Sequence, residues 1–312
     1  MDNIDYQLEN LSKCHVKELG VLFGQIFNKV VSDDYFIIKY GLNLPEIEQL
    51  STVILSSNKV IGFIGVIGQS FNTNDKLKLM KIGFTGDFFL LEKYRKTGVF
   101  KKAYEHSLKL INEHEYEHIY AFHSDQTYKV CQRWGWTDQI GFSRFHLKAI
   151  PFSTSRIVNK LGLKTWRIKQ LEKELIPYKS QTDLNSLLNR NDIFQNNYDA
   201  TFFEMKTFCK HYMVEIEGCI LFLKYDYLLS VGFVHFTDDS KIEKMLNTLK
   251  RIARISLIHD VVFHLQENSS EAIKLKKFLD EKPSFKISSL QLNEGAPVFS
   301  SVRLNFMDMD IF

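Results

Sequence analysis

The chain has 312 residues, 45% of them hydrophobic and 25% charged, a composition ordinary for a globular protein and a length that suits two domains. The formal net charge of +3 is too small to indicate nucleic-acid binding by the chain as a whole. The four cysteines show no C-x-x-C spacing, so they predict neither a disulfide framework nor a metal site. An acidic, polar N-terminal segment and the lack of a long apolar run predict a cytoplasmic protein.

Strand and helix patterns alternate through residues 1–150 in the order β-α-α-β-β-β-α-β-α-β. The predicted strands are 5–12, 51–57, 60–70, 77–91, 118–123 and 140–150, and the predicted helices are 15–30, 33–40, 99–113 and 127–134. The fourth strand is expected to bulge or bend near Gly83 to Gly86, because glycines inside a strand favour such irregularities. Residues 1–150 are therefore predicted to form one α/β domain.

The loop Arg95-Lys96-Thr97-Gly98 joins the fourth strand to the helix that starts at Val99. The start of a helix presents unpaired N–H groups and the positive end of the helix dipole, which together hold phosphate well. Gly98 removes the Cβ that would keep a ligand away from the backbone, and neighbouring lysines add positive charge. The loop is therefore predicted to bind a pyrophosphate group.

This loop resembles the acyl-CoA-binding signature of the GNAT superfamily of N-acetyltransferases, which is Gln or Arg, two residues, Gly, one residue, then Gly or Ala. Arg95 and Gly98 match, whereas Phe100 replaces the last small residue. The wider string GDFFLLEKYRKTGVF resembles a branch that modifies amino sugars in polysaccharide biosynthesis, with Glu92 where that branch usually has proline. The resemblance implies a GNAT fold with a mixed central sheet and acetyl-CoA as the acyl donor.

The resemblance also implies where the cofactor lies. In the GNAT fold the fourth and fifth strands splay apart, and the pantetheine arm of acetyl-CoA pairs with backbone amides in the gap. One amide near Phe89 to Leu91 would stabilise the oxyanion during transfer. The expected cofactor-binding residues are Phe89, Leu90, Leu91, Arg95, Lys96, Thr97, Gly98, Val99, Phe100 and Ser124.

A second point of resemblance follows the fifth strand. Gly135-Trp136 fits the family, but Ser124 stands where members often have Asn, and Cys131 where many have the Tyr that protonates the leaving thiolate. Tyr128 is the substitute considered for that acid, and Cys131 is expected to pack inward. Asp87 and His123 are the candidate bases for the acceptor ammonium, with structural alternatives as a turn residue and a hydrogen-bonded histidine. Glu92 is expected to face solvent.

Residues 151–182 form a predicted basic helical connector. Between Pro151 and Lys179 there are seven cations (Arg156, Lys160, Lys164, Arg167, Lys169, Lys173 and Lys179) and two acids (Glu172 and Glu174). Two interpretations remain open. The connector has a solvated basic face, which is the commoner case, or it rests on an anionic surface and gives a peripheral membrane contact.

Residues 183–312 repeat the later half of the first domain. The predicted strands are 212–217, 219–225, 228–236, 261–265, 285–292 and 302–306, and the predicted helices are 241–258 and 270–279. The loop before the longer helix carries Asp238 and Asp239 and no glycine, so it would repel a pyrophosphate. A degenerate GNAT-like domain without a cofactor site is therefore predicted.

The sequence thus predicts an N-acetyltransferase that transfers an acetyl group from acetyl-CoA to the primary amine of an amino sugar or another small metabolite. Its catalytic candidates are Asp87, His123 and Tyr128, and a homodimer is an option. Two alternatives remain: a GNAT-like binding or scaffold protein that has lost its cofactor, and a transferase acting on peptide or protein amines. Loop-built acceptor pockets leave the acceptor itself undetermined.

Overall fold

The computed structural model describes residues 5–73, 79–154, 158, 160–180, 182, 187–188 and 194–309. Its strands are β1 Gln7–Asn10, β2 Thr52–Ser56, β3 Lys59–Asn72, β4 Leu79–Leu90, β5 His118–His123, β6 Thr137–Gln139, β7 Phe142–Lys148, β8 Gln195–Asn196, β9 His211–Ile216, β10 Cys219–Tyr225, β11 Leu229–His235, β12 Asp260–Gln266, β13 Glu281–Pro283 and β14 Lys286–Gln291. Its helices are α1 Val16–Phe27, α2 Tyr35–Lys39, α3 Val99–Glu113, α4 Asp125–Arg133, α5 Lys164–Leu175, α6 Ala200–Met205, α7 Ile242–Ile255 and α8 Ser270–Leu275. No helix in this described part is long and apolar enough to cross a membrane.

The chain forms two compact units, each assembled from separate stretches of sequence. The first comprises Met1–Gln139, Asn185–Phe208 and Ile287–Arg303, and the second comprises Ile140–Leu184, Cys209–Lys286 and Leu304–Phe312. These units differ from the contiguous ranges 1–150, 151–182 and 183–312 expected from the sequence.

The first unit contains a sheet with the strand order β1-β2-β3-β4-β5-β14-β6, and β8 pairs with β3. The amphipathic helices α1 and α3 bury their apolar sides against this sheet, because a helix with apolar residues three to four positions apart has one face to cover. Ile64, Val66, Ala103 and Ile111 belong to the resulting core.

Two irregularities of β4 shape this sheet. The register of β3 against β4 shifts between Ile64 and Val66, opposite the stretch from Thr85 to Phe88, so the predicted bulge is confirmed. The parallel pairing of β4 with β5 runs only from Ile82 to Thr85 in the described residues. Beyond Thr85 the two strands separate, and the GNAT-type splay implied by the resemblance is present.

The strand expected to close the first sheet belongs elsewhere. The predicted strand 140–150 is β7, which pairs with β12 and β13 in the second unit. Its place beside β5 is taken by β14, which was predicted as part of the second domain. The predicted strand 302–306 is also wrong, since Arg303 makes only an isolated bridge to Gln195 and a 3-10 turn begins at Phe306. Periodicity identifies a strand, but distant partners decide which sheet it joins.

The second unit has a sheet with the order β13-β7-β12-β11-β10-β9. Its core contains Phe145, Leu221, Leu249 and Phe263, with α5 packed beside α7. The sheet repeats both features of the first one: the register of β10 against β11 shifts between Phe222 and Leu223, and the parallel pairing of β11 with β12 covers only Leu229 to Val231.

Candidate active site

A cleft of about 380 Å³ opens where β4 and β5 separate. Its lining comes from the end of α1, the end of β4, the loop before α3, and α4: Ile26, Phe27, Phe88, Phe89, Leu90, Arg95, Phe100, Ser124, Gln126, Thr127, Val130 and Cys131. The lining is mostly apolar with a few polar groups, which is typical of a site for a small organic ligand.

The turn at Gly98 lies open beside this cleft. Gly98 has φ of +81° and ψ of −8°, a left-handed conformation, and it is the N-cap residue of α3. No side chain caps the helix there, and a Cβ built on Gly98 would meet no heavy atom within 4 Å. Because the first N–H groups of a helix have no intrahelical acceptor, this turn can bind an anion with its backbone.

The residues around Gly98 leave the turn uncovered. The Thr97 hydroxyl donates a hydrogen bond to the Tyr94 carbonyl at 2.7 Å, and the Arg95 Nε donates to the Leu90 carbonyl at 3.2 Å. The second bond ties the loop to the end of β4. Lys96 is exposed, whereas Val99 is buried in the core and reaches the site only through its backbone.

The three backbone amides predicted to bind the pantetheine arm, those of Phe89, Leu90 and Leu91, do not all point toward the cleft. The Leu91 N–H donates to the Ile61 carbonyl at 2.9 Å, so it faces β3 and not the cleft. Consecutive N–H groups of a strand point to opposite edges. The Phe89 N–H therefore also faces β3, and the Leu90 N–H points to the edge where β5 has moved away.

Asp87 lies in the bulge of β4 and contacts α2. Its Oδ2 accepts hydrogen bonds from Lys39 Nζ at 2.6 Å and from Tyr40 Oη at 2.9 Å. The Lys39 side chain is fully buried, and its Nζ also donates to Tyr35 Oη at 3.2 Å. Gly65 makes room for this arrangement, because a Cβ there would lie 2.0 Å from Tyr40 Oη.

Lys39 and Tyr40 were not identified as site residues from the sequence. A lysine at the end of a short predicted helix normally faces solvent, since a fully buried lysine needs a charged partner. That partner lies 48 residues away on β4, so no local pattern indicates the pair.

His123 and Tyr128 lie together on the other side of the site. Their ring centroids are 6.0 Å apart. His123 Nε2 is 2.6 Å from Ser288 Oγ on β14, and burial lowers the pKa of His123 to about 4, so the imidazole is neutral at pH 7. The Tyr128 hydroxyl donates to Asp138 Oδ2 at 2.6 Å, and this bond raises the pKa of Tyr128.

Three residues that depart from the family pattern, Phe100, Ser124 and Cys131, line the cleft. Ser124 is the N-cap residue of α4, and its Oγ accepts a long hydrogen bond from the Thr127 N–H at 3.4 Å. Cys131 is buried, and burial raises the pKa of its thiol to about 12. The Cys131 side chain is therefore a neutral part of the cleft wall, which agrees with its expected inward packing.

No protein-family model matches the sequence, and no curated protein matches it. Solved structures do match. A GCN5-related N-acetyltransferase from Kribbella flavida matches with TM-score 0.57 and 8% identity over 93% of this chain and 71% of its own. Another from Anabaena variabilis ATCC 29413 matches with TM-score 0.56 and 11% identity over 93% of this chain and 73% of its own. A tandem GNAT protein from the clavulanic acid biosynthesis pathway matches with TM-score 0.55 and 9% identity over 94% of this chain and 100% of its own.

These similarities define the class of fold. The chain has the mixed α/β fold of the GCN5-related N-acetyltransferases, and its two sheets are consistent with two GNAT-like domains in one chain. The expectation of a GNAT fold with a second GNAT-like domain is confirmed.

Proposed function

We propose that the first unit transfers the acetyl group of acetyl-CoA to a primary amine of a small molecule, with an amino sugar as the preferred class of acceptor. One observation carries the proposal: an open, left-handed glycine turn at the start of α3 adjoins the cleft between splayed strands. Similarity to GNAT structures supports acyl transfer in general.

The residues of the cleft fit an acyl-CoA. When bound, acetyl-CoA supplies an activated acyl group as a thioester. The open space over Gly98 suits its diphosphate, and the loop cations Arg95 and Lys96 supply opposite charge. The Leu90 N–H at the splayed edge is the donor placed to stabilise an oxyanion.

We assign proton abstraction from the acceptor ammonium to Asp87. Lys39 and Tyr40 both donate hydrogen bonds to Oδ2 of this carboxylate, which fixes its orientation. His123 is the weaker candidate, because its imidazole is buried and its Nε2 already contacts Ser288 Oγ at 2.6 Å. Tyr128 keeps the acid role only if it releases Asp138. A thiol with an ordinary pKa near 8.5 can also depart as a thiolate, so the missing family tyrosine is tolerable.

Thermal shift with acetyl-CoA tests the proposal. Gly98→Asp places a carboxylate in the open turn, so we expect it to abolish the rise in melting temperature that acetyl-CoA gives the wild type. Gly162→Asp is the matched control, because Gly162 also has a positive φ, +67°, with no heavy atom within 4 Å of an added Cβ, yet it belongs to the second unit and not to the turn before α3. A wild type that shows no shift at millimolar acetyl-CoA contradicts the proposal.

A binding protein without catalysis is the second candidate. It is favoured by the engagement of Tyr128 with Asp138 and by the neutral Cys131 thiol, which leave no free acid of the family type in the described cleft. Release of CoA in the presence of a panel of amino sugars, polyamines and peptides separates the two. Binding of acetyl-CoA without release on any amine favours the second candidate.

A further inference from the structure

The outer side of α5 in the second unit combines exposed apolar residues with lysines. Leu171 and Leu175 face the core, whereas Trp166, Lys169, Lys173 and Ile176 follow one another three to four positions apart along the opposite side. Trp166 is 44% exposed and Ile176 is 71% exposed. These four residues are called the outer face of α5.

The turn before α5 continues this composition. Leu161 is 63% exposed, and Lys160 and Lys164 flank it and are exposed as well. A helix of 12 residues is about 18 Å long, so the outer face and this turn together present a narrow strip of alternating apolar and cationic side chains. Single exposed apolar residues are ordinary, but three large ones among lysines indicate an interaction surface.

The acids of α5 form their close ion pairs with cations outside the strip, and Lys169 contributes only a longer-range attraction that helps to lower the pKa of Glu172. Glu172 accepts hydrogen bonds from Lys210 Nζ at 2.5 Å and Tyr212 Oη at 3.2 Å, and Glu174 pairs with Arg251 at 3.3 Å. Within the described residues, no carboxylate lies within 4.0 Å of Lys160, Lys164, Lys169 or Lys173. The strip therefore keeps a net positive charge, in contrast to the nearly balanced charge of the whole chain.

One cation of the basic connector, Arg167, does not contribute to the strip. Arg167 is buried, and its guanidinium donates to Tyr225 Oη and to Thr154 Oγ1, both at 3.0 Å. Arg167 therefore anchors α5 to the rest of the second unit. Arg156 lies outside the described residues. The lysines are thus carried on a helix that is fixed from behind by a buried arginine and two leucines.

We propose that this strip is a peripheral docking surface for an anionic lipid bilayer, a property that goes beyond acyl transfer. Lysines beside exposed Trp, Leu and Ile match the two components of such a surface: lysine ammonium groups attract anionic headgroups, and the apolar side chains enter the boundary between headgroups and acyl chains. Tryptophan in particular favours that boundary. Docking there would hold the protein at a membrane without any spanning segment.

Vesicle flotation of the full chain tests the surface. We expect it to bind vesicles in which about a third of the lipid is phosphatidylglycerol and to ignore pure phosphatidylcholine vesicles, with binding weakened at about 0.5 M salt, where the Debye length is about 4 Å. Because each lysine near such a surface contributes about a factor of five, Lys169→Glu with Lys173→Glu should lower the partition coefficient by at least roughly 30-fold. Trp166→Ala should lower it by a smaller factor that persists in high salt.

The matched control changes the same net charge on elements other than α5 and α7. Lys277, just after α8, and Lys282 on β13 are exposed and belong to the same unit. Lys277→Glu with Lys282→Glu should lower binding by less than about threefold, because these lysines do not belong to the strip. An equal loss in both double variants overturns the proposal, as does failure to float with anionic vesicles at low salt. Stronger binding to RNA, with vesicles unable to compete, also overturns it.

Discussion

The turn that begins α3 and the 3-10 turn Asp239–Lys241 that leads into α7 follow equivalent strands of two similar sheets. In both sheets the preceding strand is bulged and pairs with its parallel neighbour over only three or four residues. Gly98 leaves the first helix start uncapped, with open space above it. At the second, Asp238 Oδ1 accepts hydrogen bonds from the Ser240 N–H at 2.9 Å and the Ser240 hydroxyl at 2.8 Å.

A carboxylate of the chain thus occupies the second helix start, where an anionic ligand would otherwise bind. These bonds to Ser240 lower the pKa of Asp238, so its negative charge persists at neutral pH. The bulges of the two strands also differ in their residues. The bulge of β4 contains Gly86 and the carboxylate of Asp87, whereas the bulge of β11 contains Gly232. Two sheets of the same architecture can thus differ at the helix start and in the bulge, so the proposed transferase site depends on the open turn and on Asp87 as well as on the sheet.

The largest expected effect concerns the carboxylate that only the first bulge has. Asp87→Asn should lower kcat for an accepted amine by roughly 10²- to 10⁴-fold, because a positioned general base contributes about that much. The acetyl-CoA-induced thermal shift should persist, since Asp87 does not line the cleft. Steady-state kinetics together with thermal shift checks this prediction. A variant with unchanged kcat removes Asp87 from the mechanism.

Lys39 tests whether the same carboxylate depends on its buried partner. Lys39→Met should destabilise the first unit by roughly 3–5 kcal/mol, because it leaves the charge of Asp87 without its cation. The double variant Lys39→Met, Asp87→Asn should recover part of that loss, since it leaves no buried charge. Urea unfolding of the single and double variants measures the difference. Additive losses in the double variant would show that the two side chains act independently.

A buried histidine in the first unit and a half-buried one in the second predict a shared response to acid. Burial lowers the pKa of His123 to about 4 and that of His264 to about 3. The unfolded chain takes up these protons near pH 6.5, so folded-state stability is complete above pH 6.5 and falls as the pH drops toward 4 and 3. The loss from His123 alone is on the order of 3 kcal/mol.

The apparent melting temperature between pH 7.5 and about 4.5 measures this loss, and His123→Asn and His264→Asn should each flatten the curve. His264 stacks on Phe306 at 4.1 Å between ring centroids, so its variant reports on the second unit, whereas the His123 variant reports on the first. Wild-type curves that are flat over this range contradict the prediction.

The smallest effect is expected at the self-capped turn. Asp238→Gly should lower the melting temperature slightly, because it removes the carboxylate that satisfies the Ser240 N–H. In the double variant Gly98→Asp, Asp238→Gly, acetyl-CoA should still not raise the melting temperature. A restored thermal shift in that double variant would show that a vacant helix start is sufficient for acetyl-CoA binding. The capping of the helix start would then be the difference that matters between the two units.

Local sequence signals predicted much of the first unit. The strand and helix patterns, the bulge near Gly86 and the helix that begins after Gly98 all depend on neighbouring residues, so periodicity and glycine placement indicate them. The sheet membership of β7 and β14 did not follow from such signals. Either strand could satisfy its apolar face in either sheet, and only packing over more than a hundred residues selects the partner.

Site residues divide in the same way. The sequence predicted Gly98, Arg95 and Asp87 as members of a site, whereas Lys39 reaches Asp87 only because α2 is packed against the bulge of β4. The direction of the Leu91 N–H, toward Ile61, also depends on the register between β3 and β4. Arg167 looked like one cation of a solvated face and is instead enclosed by Thr154 and Tyr225.

The amino-acid sequence by itself determined the alternation of strands and helices, the uncapped glycine turn and the acidic second turn, because each depends on residues that are neighbours in the chain. The tertiary structure decided which strands share a sheet, which amide faces the splayed edge and which charges are buried as pairs. Those properties arise from contacts between distant residues, where desolvation and register have no local signature.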